Sequence, residues 1–382
     1  MSQRSFWEQQ TFLAKADIAI IGGGIVGLSA ALALKTKDAQ LRIVLVERGP
    51  IPTGASTRNA GFACIGSMTE LLDDLNHQPS QQVWALVAKR WEGLCRLRSL
   101  VGEEHMDYMP SGNEELFRSS DLMVYEQCLD HLEAFNKELK AITGQSNCFQ
   151  INDQRLKDWS WVDVQHLISN RAEGQLHPGK MMQCLLTKAQ EAGVQILNGL
   201  AIVDIEDAGD SLCLRAQENW AIKCKKCLVA TNGFASRLLP ELEVQAARNQ
   251  VLITKEIPGL KVKGCFHYDK GYLYFRNVGN RLLLGGGRNL DRMGEQTDEF
   301  GTSQLIQGYL LDFLQKVILP EHKVEVEQWW SGILGVGSDK SPIVKMLGPR
   351  LGVAVRLGGM GVAIGTLVGE EAAVLLLEDT KC

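Results

Sequence analysis

Gly22, Gly24 and Gly27 stand in the spacing Gly-x-Gly-x-x-Gly, and an acid, Glu47, lies 20 residues beyond the third. The three positions suit three different jobs. A glycine in the first allows a tight turn, one in the second lets a pyrophosphate approach the backbone, and one in the third lets a helix pack close to a strand. A helix starting at Ile25 would offer its unpaired N–H groups to the phosphates. A carboxylate at Glu47 accepts hydrogen bonds from ribose hydroxyls and disfavours a 2′-phosphate, so the pattern points to a dinucleotide other than NADP.

A second group follows closely. In "TGASTRNAGFACIG", Ser56, Thr57, Arg58 and Asn59 sit between the small residues Ala55 and Gly61. Hydroxyls, an amide and a guanidinium in a glycine-flanked loop suit a pyrophosphate and the edge of a flavin ring. No second Gly-x-Gly-x-x-Gly is present for a separate nicotinamide nucleotide, which favours FAD over NAD. A third group, Tyr272, Tyr274 and Arg276 in "YLYFRN", alternates and would share one face of a strand. Near the C-terminus, "VRLGGMGVAIG" carries four glycines in eleven residues and no side chain suited to acid–base or nucleophilic catalysis.

The elements that must position these residues are legible in outline. Asp17 to Ile21 is an apolar run that suits a buried parallel strand, Ile25 to Leu34 is rich in Ala and Leu, and Leu41 to Val46 is a second apolar run ending at Glu47. Together they make a βαβ unit. The stretch "IAIIGGGIVGLSAALAL" is therefore a strand, turn and helix rather than a membrane span, because its glycines are clustered. Gln81 to Val101 and Asp121 to Thr143 have helical periodicity with mixed charge, and are expected to leave the nucleotide-binding unit. Lys180 to Ala192 is a helix, "VQILNG", "AIVDIE" and "KKCLVATNG" are strands, and Gln250 to Leu284 has the period of two of an antiparallel sheet. Thr302 to Ile318 and Val362 to Leu377 are two more helices.

A chain of 382 residues is expected to form about two domains. The net charge of −5 argues against a nucleic-acid partner. The first residues lack the apolar core of a signal peptide and the ten cysteines are irregularly spaced, so a cytoplasmic protein with reduced thiols is expected. Cys224 and Cys227 form a Cys-x-x-Cys without a second pair, read as incidental; the histidines show no metal spacing, so no metal is expected.

These residues resemble the D-amino-acid oxidase family of flavoproteins, which includes glycine oxidase and monomeric sarcosine oxidase. The likeness rests on "DIAIIGGGIVGLSAALAL", "VLVERG", "GASTRNAG", "HPGKMMQCLLTKAQEAGVQILNG", "LVATNGFASRLLP" and "WWSGILGVGSDKSPIV", and covers nearly the whole chain. It implies an α/β fold. A Rossmann-like FAD-binding domain would be assembled from 1–80, 145–240 and 330–382, and an α+β substrate domain on an antiparallel sheet from 81–144 and 241–329. It places Arg48 beside the nucleotide, Ile202 over the adenine, and Ala230, Thr231, Asn232, Gly233 and Gly332 near the FAD. The turn of Gly358, Gly359, Met360, Gly361 and Val362 would run under the flavin. There the N-terminus of the last helix would support the negative charge left when a hydride reaches the ring.

The chain also departs from that pattern. The position of the arginine that grips the substrate carboxylate in glycine oxidase is Gly359 here, and Arg276 is the replacement candidate. No cysteine lies in the final turn and no histidine matches Arg58, which implies non-covalent FAD. Leu283 matches the oxygen-activating lysine of sarcosine oxidase, so the acceptor is either oxygen or a quinone or other electron-transfer partner. The resulting expectation is oxidation of a small amine or amino acid to an imine, with Tyr272, Tyr274 and Arg276 orienting the substrate. Three alternatives remain: a 2-hydroxyacid dehydrogenase, with His267 as its candidate base; the oxidase part of a tRNA-modifying enzyme, against which the acidic balance counts; and a subunit holding FAD for a larger complex.

Overall fold

The computed structural model describes residues 4–217 and 220–378, so both extreme ends of the expected nucleotide-binding segments, 1–3 and 379–382, lie outside the described residues. Two eight-stranded sheets organise the chain. In the first, Ala16–Ile21 lies between Ile43–Glu47 and Ala221–Val229. Gln195–Asn198 adds beyond Ile43–Glu47 and Leu351–Val355 beyond Ala221–Val229, every pairing parallel. Strands buried on both faces carry unbroken apolar runs, and Ile43–Glu47 is buried at all five positions.

Helix Ile25–Lys37 packs on one side of this sheet beside the last helix, Gly361–Leu377. Both are apolar almost all round, as helices enclosed between a sheet and further helices must be. Helix Ser80–Val101, expected to leave this unit, contributes Leu86, Leu94, Leu97 and Val101 to the same core. Near its N-terminus, Val83 and Val87 join the core under helix Leu122–Thr143. It is shared between the two cores along its length, which mixed-charge periodicity alone did not separate.

The second sheet runs Val326–Val336, Gln245–Thr254, Arg281–Gly286, Leu273–Val278, Cys265–Tyr268, Asn113–Arg118, Val164–Asn170 and Phe149–Ile151. It is antiparallel except at one junction, where Cys265–Tyr268 pairs in parallel with Asn113–Arg118. It thus recruits strands from 149–170 and 326–336, partly from segments expected in the nucleotide-binding unit. Bounds implied by a family resemblance do not specify which distant strand completes an edge. Phe266 and Phe275 stack at 4.7 Å in the core between this sheet and helix Gln304–Phe313.

Among the described residues, no helix is long and apolar enough to cross a membrane. Cys224 and Cys227 are buried free thiols within strand Ala221–Val229.

Candidate functional site

A cleft of about 310 Å³ opens at the C-terminal ends of the parallel strands, where open α/β sheets bind ligands. Gly22 has φ +117°, and a Cβ there would lie 2.6 Å from Ala230 O; a Cβ on Gly27 would lie 2.0 Å from Gly22 O. Only glycine fits either position. Gly24 supplies no side-chain cap to the helix that follows, and Ser56 Oγ instead accepts from Ile25 N at 3.0 Å. The Glu47 carboxylate is buried and fixed, accepting from Gly23 N and Gly49 N at 3.0 Å each.

The cleft continues along Arg48, Ala55, Asn59, Ile202, Ala230, Thr231 and Asn232 to Gly359, Gly361 and Val362. Asn232, at φ +48°, accepts from both Arg356 N and Leu357 N through Oδ1, tying the turn after Val229 to the turn after Val355. Gly358 and Gly359 have φ +58° and +87°, which bends the chain into the last helix. The first N–H groups of that helix lack intrahelical acceptors. The hydroxyl of Thr231 is buried without a partner among the described residues. A glycine cradle, a fixed ribose-facing acid, an orphaned hydroxyl and two converging helix N-termini fit an extended dinucleotide such as FAD.

Other expected residues lie elsewhere. Arg58 does not line this cleft: Nε donates to Thr53 O at 3.0 Å and Nη1 to Ser331 O at 2.9 Å, while the guanidinium lies 4.1 Å over Phe300. Two of its donors thus tie it to the loop before it and to strand Val326–Val336, and it lines the second cavity rather than this cleft. Trp330 Nε1 returns a bond to Arg58 O. Arg48 lies 3.7 Å over Phe234. Thr57, Gly27, Gly61 and Gly233 are packed behind the wall, Gly233 against Leu334 O and Gly61 against Leu176 O.

A second cavity, about 260 Å³, shares Ala55, Asn59, Leu334, Gly359 and Val362 with the first, so the two meet at the final turn. Gly332, Gly358 and Met360 belong to this side. The second sheet contributes Asn249, Val251, His267 and Tyr274, and the adjoining turns Lys270, Tyr272 and Arg288. Tyr274 accepts from Asn249 Nδ2 at 2.9 Å and Tyr272 accepts from Arg292 at 3.0 Å. Burial raises the Tyr274 phenol well above its ordinary pKa, so it stays neutral.

Arg276 shares the sheet face of Tyr274 but lies outside the cavity. The backbone of Gly61 and Leu176 covers it, and its Nη1 donates to Gln175 Oε1 at 3.2 Å. The free cation is Arg288 instead. Among the described residues it makes no hydrogen bond or ion pair and lies 5.8 Å from the centre of the Tyr272 ring. Burial lowers its pKa. A signal for it does exist in the sequence, the three glycines 285–287 immediately before it. A Cβ on Gly286 would lie 1.9 Å from Tyr272 O, so the approach that delivers Arg288 tolerates no side chain.

Helix Met68–His77 roofs the cavity and is anchored by two lysines. Lys340 Nζ lies 3.0 Å from Glu70 and 2.7 Å from Asp74, and Lys270 Nζ lies 2.6 Å from Asp73. Burial alone would raise the Glu70 carboxyl, but Lys340 and Arg90 outweigh it and hold it at about 2. The loop carrying Lys340 is held from below by buried Arg356, which pairs with Asp339 at 3.0 Å and donates to Ser341 O. Arg356 therefore supports the site without lining it. His267 lies against Phe62 at 5.0 Å, and burial pushes its pKa down to about 4.

Over nearly their whole lengths, this chain is similar to proteins of related architecture. It is 23% identical over 383 residues to a probable oxidoreductase, OrdL, of Rhizobium meliloti (strain 1021), covering 95% of this chain and 83% of that one. It is also 23% identical to the γ-glutamylputrescine oxidoreductase of Escherichia coli (strain K12), covering 96% and 84%. The glycine oxidase of Geobacillus kaustophilus has the same fold, with a TM-score of 0.73, 19% identity and coverage of 95% and 94%. The model of the FAD dependent oxidoreductase family, DAO, matches residues 17–375, and the chain belongs to that family.

Proposed function

We propose that this FAD-dependent oxidoreductase oxidises the C–N bond of a small amino acid or carboxylate-bearing amine to an imine, which then hydrolyses. The single observation that carries this reading is Arg288, a cation with no hydrogen bond or ion pair among the described residues, in the cavity that meets the cleft at Gly359. A carboxylate is the group such a cation would take in a shielded site. The resemblance to glycine oxidase implies a carboxylate-holding arginine at the position of Gly359; here Arg288, lining the same cavity, would hold it instead.

Gly22, Gly24, Ile25, Glu47, Arg48, Ala55, Ser56, Asn59, Ile202, Ala230, Thr231, Asn232, Gly359, Gly361 and Val362 would hold the FAD, non-covalently. Bound FAD supplies the acceptor for the hydride. The residues of this chain bind and orient. Tyr272 and Tyr274 shape the substrate side, Arg288 fixes the carboxylate, and helix Met68–His77 with its two lysine anchors excludes water. With FAD bound, the N–H groups at the N-terminus of the last helix would stabilise negative charge on the reduced cofactor. Among the described residues lining the cavity, Glu70 and Asp73 are paired with lysines and His267 is held at about 4, so none is a strong base. That suits an amine reacting as its free base better than an alcohol, which must lose a hydroxyl proton.

The test is anaerobic mixing of the purified protein with amines, D- and L-amino acids and 2-hydroxy acids, following the flavin absorbance. Amino acids should bleach it, and carboxylate-free amines should do so only at far higher concentration. Bleaching by hydroxy acids alone, or by nothing, overturns the assignment. Admitting air afterwards reports whether oxygen takes the electrons, and size exclusion of the natural protein tests the subunit alternative.

A further inference from the structure

Arg276 is a buried cation that neither cavity uses, only 6% exposed, on strand Leu273–Val278. Among the described residues it has no ion pair, and its one hydrogen bond runs from Nη1 to Gln175 Oε1 at 3.2 Å. Its Nε is buried with no partner. A two-stranded ribbon separates it from the cavities: Phe62–Ala63 pairs antiparallel with Gly174–Gln175, Phe62 opposite Gln175. Ala60, Phe62 and Cys64, at alternate positions, line the second cavity. Between them Gly61 meets Arg276 instead, for a Cβ there would lie 2.8 Å from Nη2. The charge therefore stands one peptide layer behind the lining. That lining borders the junction of the two cavities, since Asn59 belongs to both and Cys64 Sγ lies 3.9 Å from Met360 Sδ in the final turn.

Among the described residues no acid pairs with this cation. Glu173, just before the second ribbon strand, commits its carboxyl to Ile65 N at 2.7 Å, Gly66 N at 2.9 Å and Asn113 Nδ2 at 2.8 Å. Burial also pushes it up to about 7, which makes it a poor counter-ion. The Cys265 thiol that faces Arg276 is pushed up to about 12 by burial and stays neutral. A guanidinium does not give up its proton in a protein, so the place keeps a full positive charge. An unpaired buried ion is destabilising. That is offset when negative charge is set down nearby, and a poorly polarisable interior carries the attraction through the ribbon.

We propose that Arg276 is the counter-charge of the reduced cofactor: from behind the Gly61 backbone it favours the form of the flavin that carries negative charge. A hydride brings two electrons and one proton and leaves the ring anionic, so no proton passes to or from Arg276. The substrate carboxylate has Arg288 in its own cavity, which leaves the ring as the group for Arg276 to serve. The inference rests on FAD in the cleft and not on the identity of the substrate, so it stands or falls separately from amine oxidation.

The test needs no substrate. The two-electron midpoint potential of the FAD-loaded protein is measured at pH 8 against a reference dye, and sulfite is titrated into the oxidised form. Sulfite donates its lone pair to flavin N5 and leaves the ring with the same negative charge. Arg276→Met should disfavour reduction at least tenfold, about 30 mV for two electrons, and weaken sulfite binding at least tenfold. Arg276→Lys should recover most of both. A residue that only packs would lower stability and FAD affinity and leave the potential where it was. An unchanged potential in Arg276→Met overturns the proposal, and weaker binding of acetate to that same variant would then give the charge to the substrate carboxylate. A lysine variant shifted as far as the methionine one overturns it too, as does loss of FAD from both Arg276→Met and Arg276→Gln.

Discussion

Tyr274 and Gly285 face each other across two antiparallel strands, and a β-carbon on Gly285 would stand 2.6 Å from the Tyr274 hydroxyl and ring. The tyrosine thus occupies volume that its cross-strand partner leaves empty, and this turns its hydroxyl onto Asn249 at the cavity wall. Gly285→Ala should displace the ring, cost roughly 1–3 kcal/mol as an overpacked site, and raise KM. Thermal unfolding and steady-state kinetics check this, and wild-type values for both would show that the ring has room elsewhere.

Replacing Arg288 should damage substrate binding and spare the cofactor. A charge-assisted bond contributes about 1.5–3 kcal/mol, so Arg288→Gln should raise KM for a carboxylate substrate by roughly ten- to a hundredfold. Its FAD content should equal that of the wild type. A larger loss with Arg276→Gln than with Arg288→Gln would restore the residue that alternation along the strand had suggested.

Gly27 presses on the turn rather than on the ligand. With 2.0 Å between its absent β-carbon and Gly22 O, Gly27→Ala must open the strand–helix junction that shapes the phosphate site. The variant should purify colourless, and titration with FAD should show affinity reduced at least tenfold. Full yellow occupancy would mean that the helix can shift without cost.

Glu173 and His267 should drive stability in opposite directions with pH. Glu173, raised to about 7, favours the fold while protonated, so its contribution is complete below the unfolded carboxyl pKa near 4.5 and fades as the pH rises through 7. His267, lowered to about 4, contributes fully above its unfolded value near 6.5, and that is lost as the pH falls through 4. Between about 4.5 and 6.5 the two slopes, each on the order of 1.4 kcal/mol per pH unit, offset one another. His267→Asn should leave a stability that falls with rising pH across this window, and Glu173→Gln one that rises. Denaturant midpoints at pH 4.5, 5.5 and 6.5 decide it.

Lys340 should matter most for the roof of the cavity. Glu70 at about 2 is a depressed carboxyl, so it stabilises fully above pH 4.5 and loses that only as the pH falls towards 2. Lys340→Met leaves Glu70 with Arg90 alone at 3.3 Å. Because the lysine side chain is itself 35% exposed, the expected cost at pH 7 is modest, about 1–2 kcal/mol. The acid transition should move to higher pH, and proteolysis near Met68–His77 should quicken.

The nucleotide side of the molecule was legible because its information is local. Gly22, Gly24, Gly27 and Glu47 sit within one strand–turn–helix–strand unit, where Gly22 takes a φ of +117° and Gly27 packs on Gly22 O. The substrate side was not. Tyr272, Tyr274 and Arg276 alternate correctly, yet the crossing of Gly61 and Leu176 over Arg276 depends on segments some 100 and 200 residues away in the chain. Arg288, Lys340 and Glu70 come from three separate loops or helices, and no spacing in sequence records their distances. By itself, then, the sequence determined the cofactor class and the βαβ frame, since short-range sterics and helix termini act within a few residues. Only the tertiary structure decided which cation in the cavity is left without a hydrogen bond or ion pair among the described residues, because that depends on burial and on partners delivered by strand pairing across the whole chain.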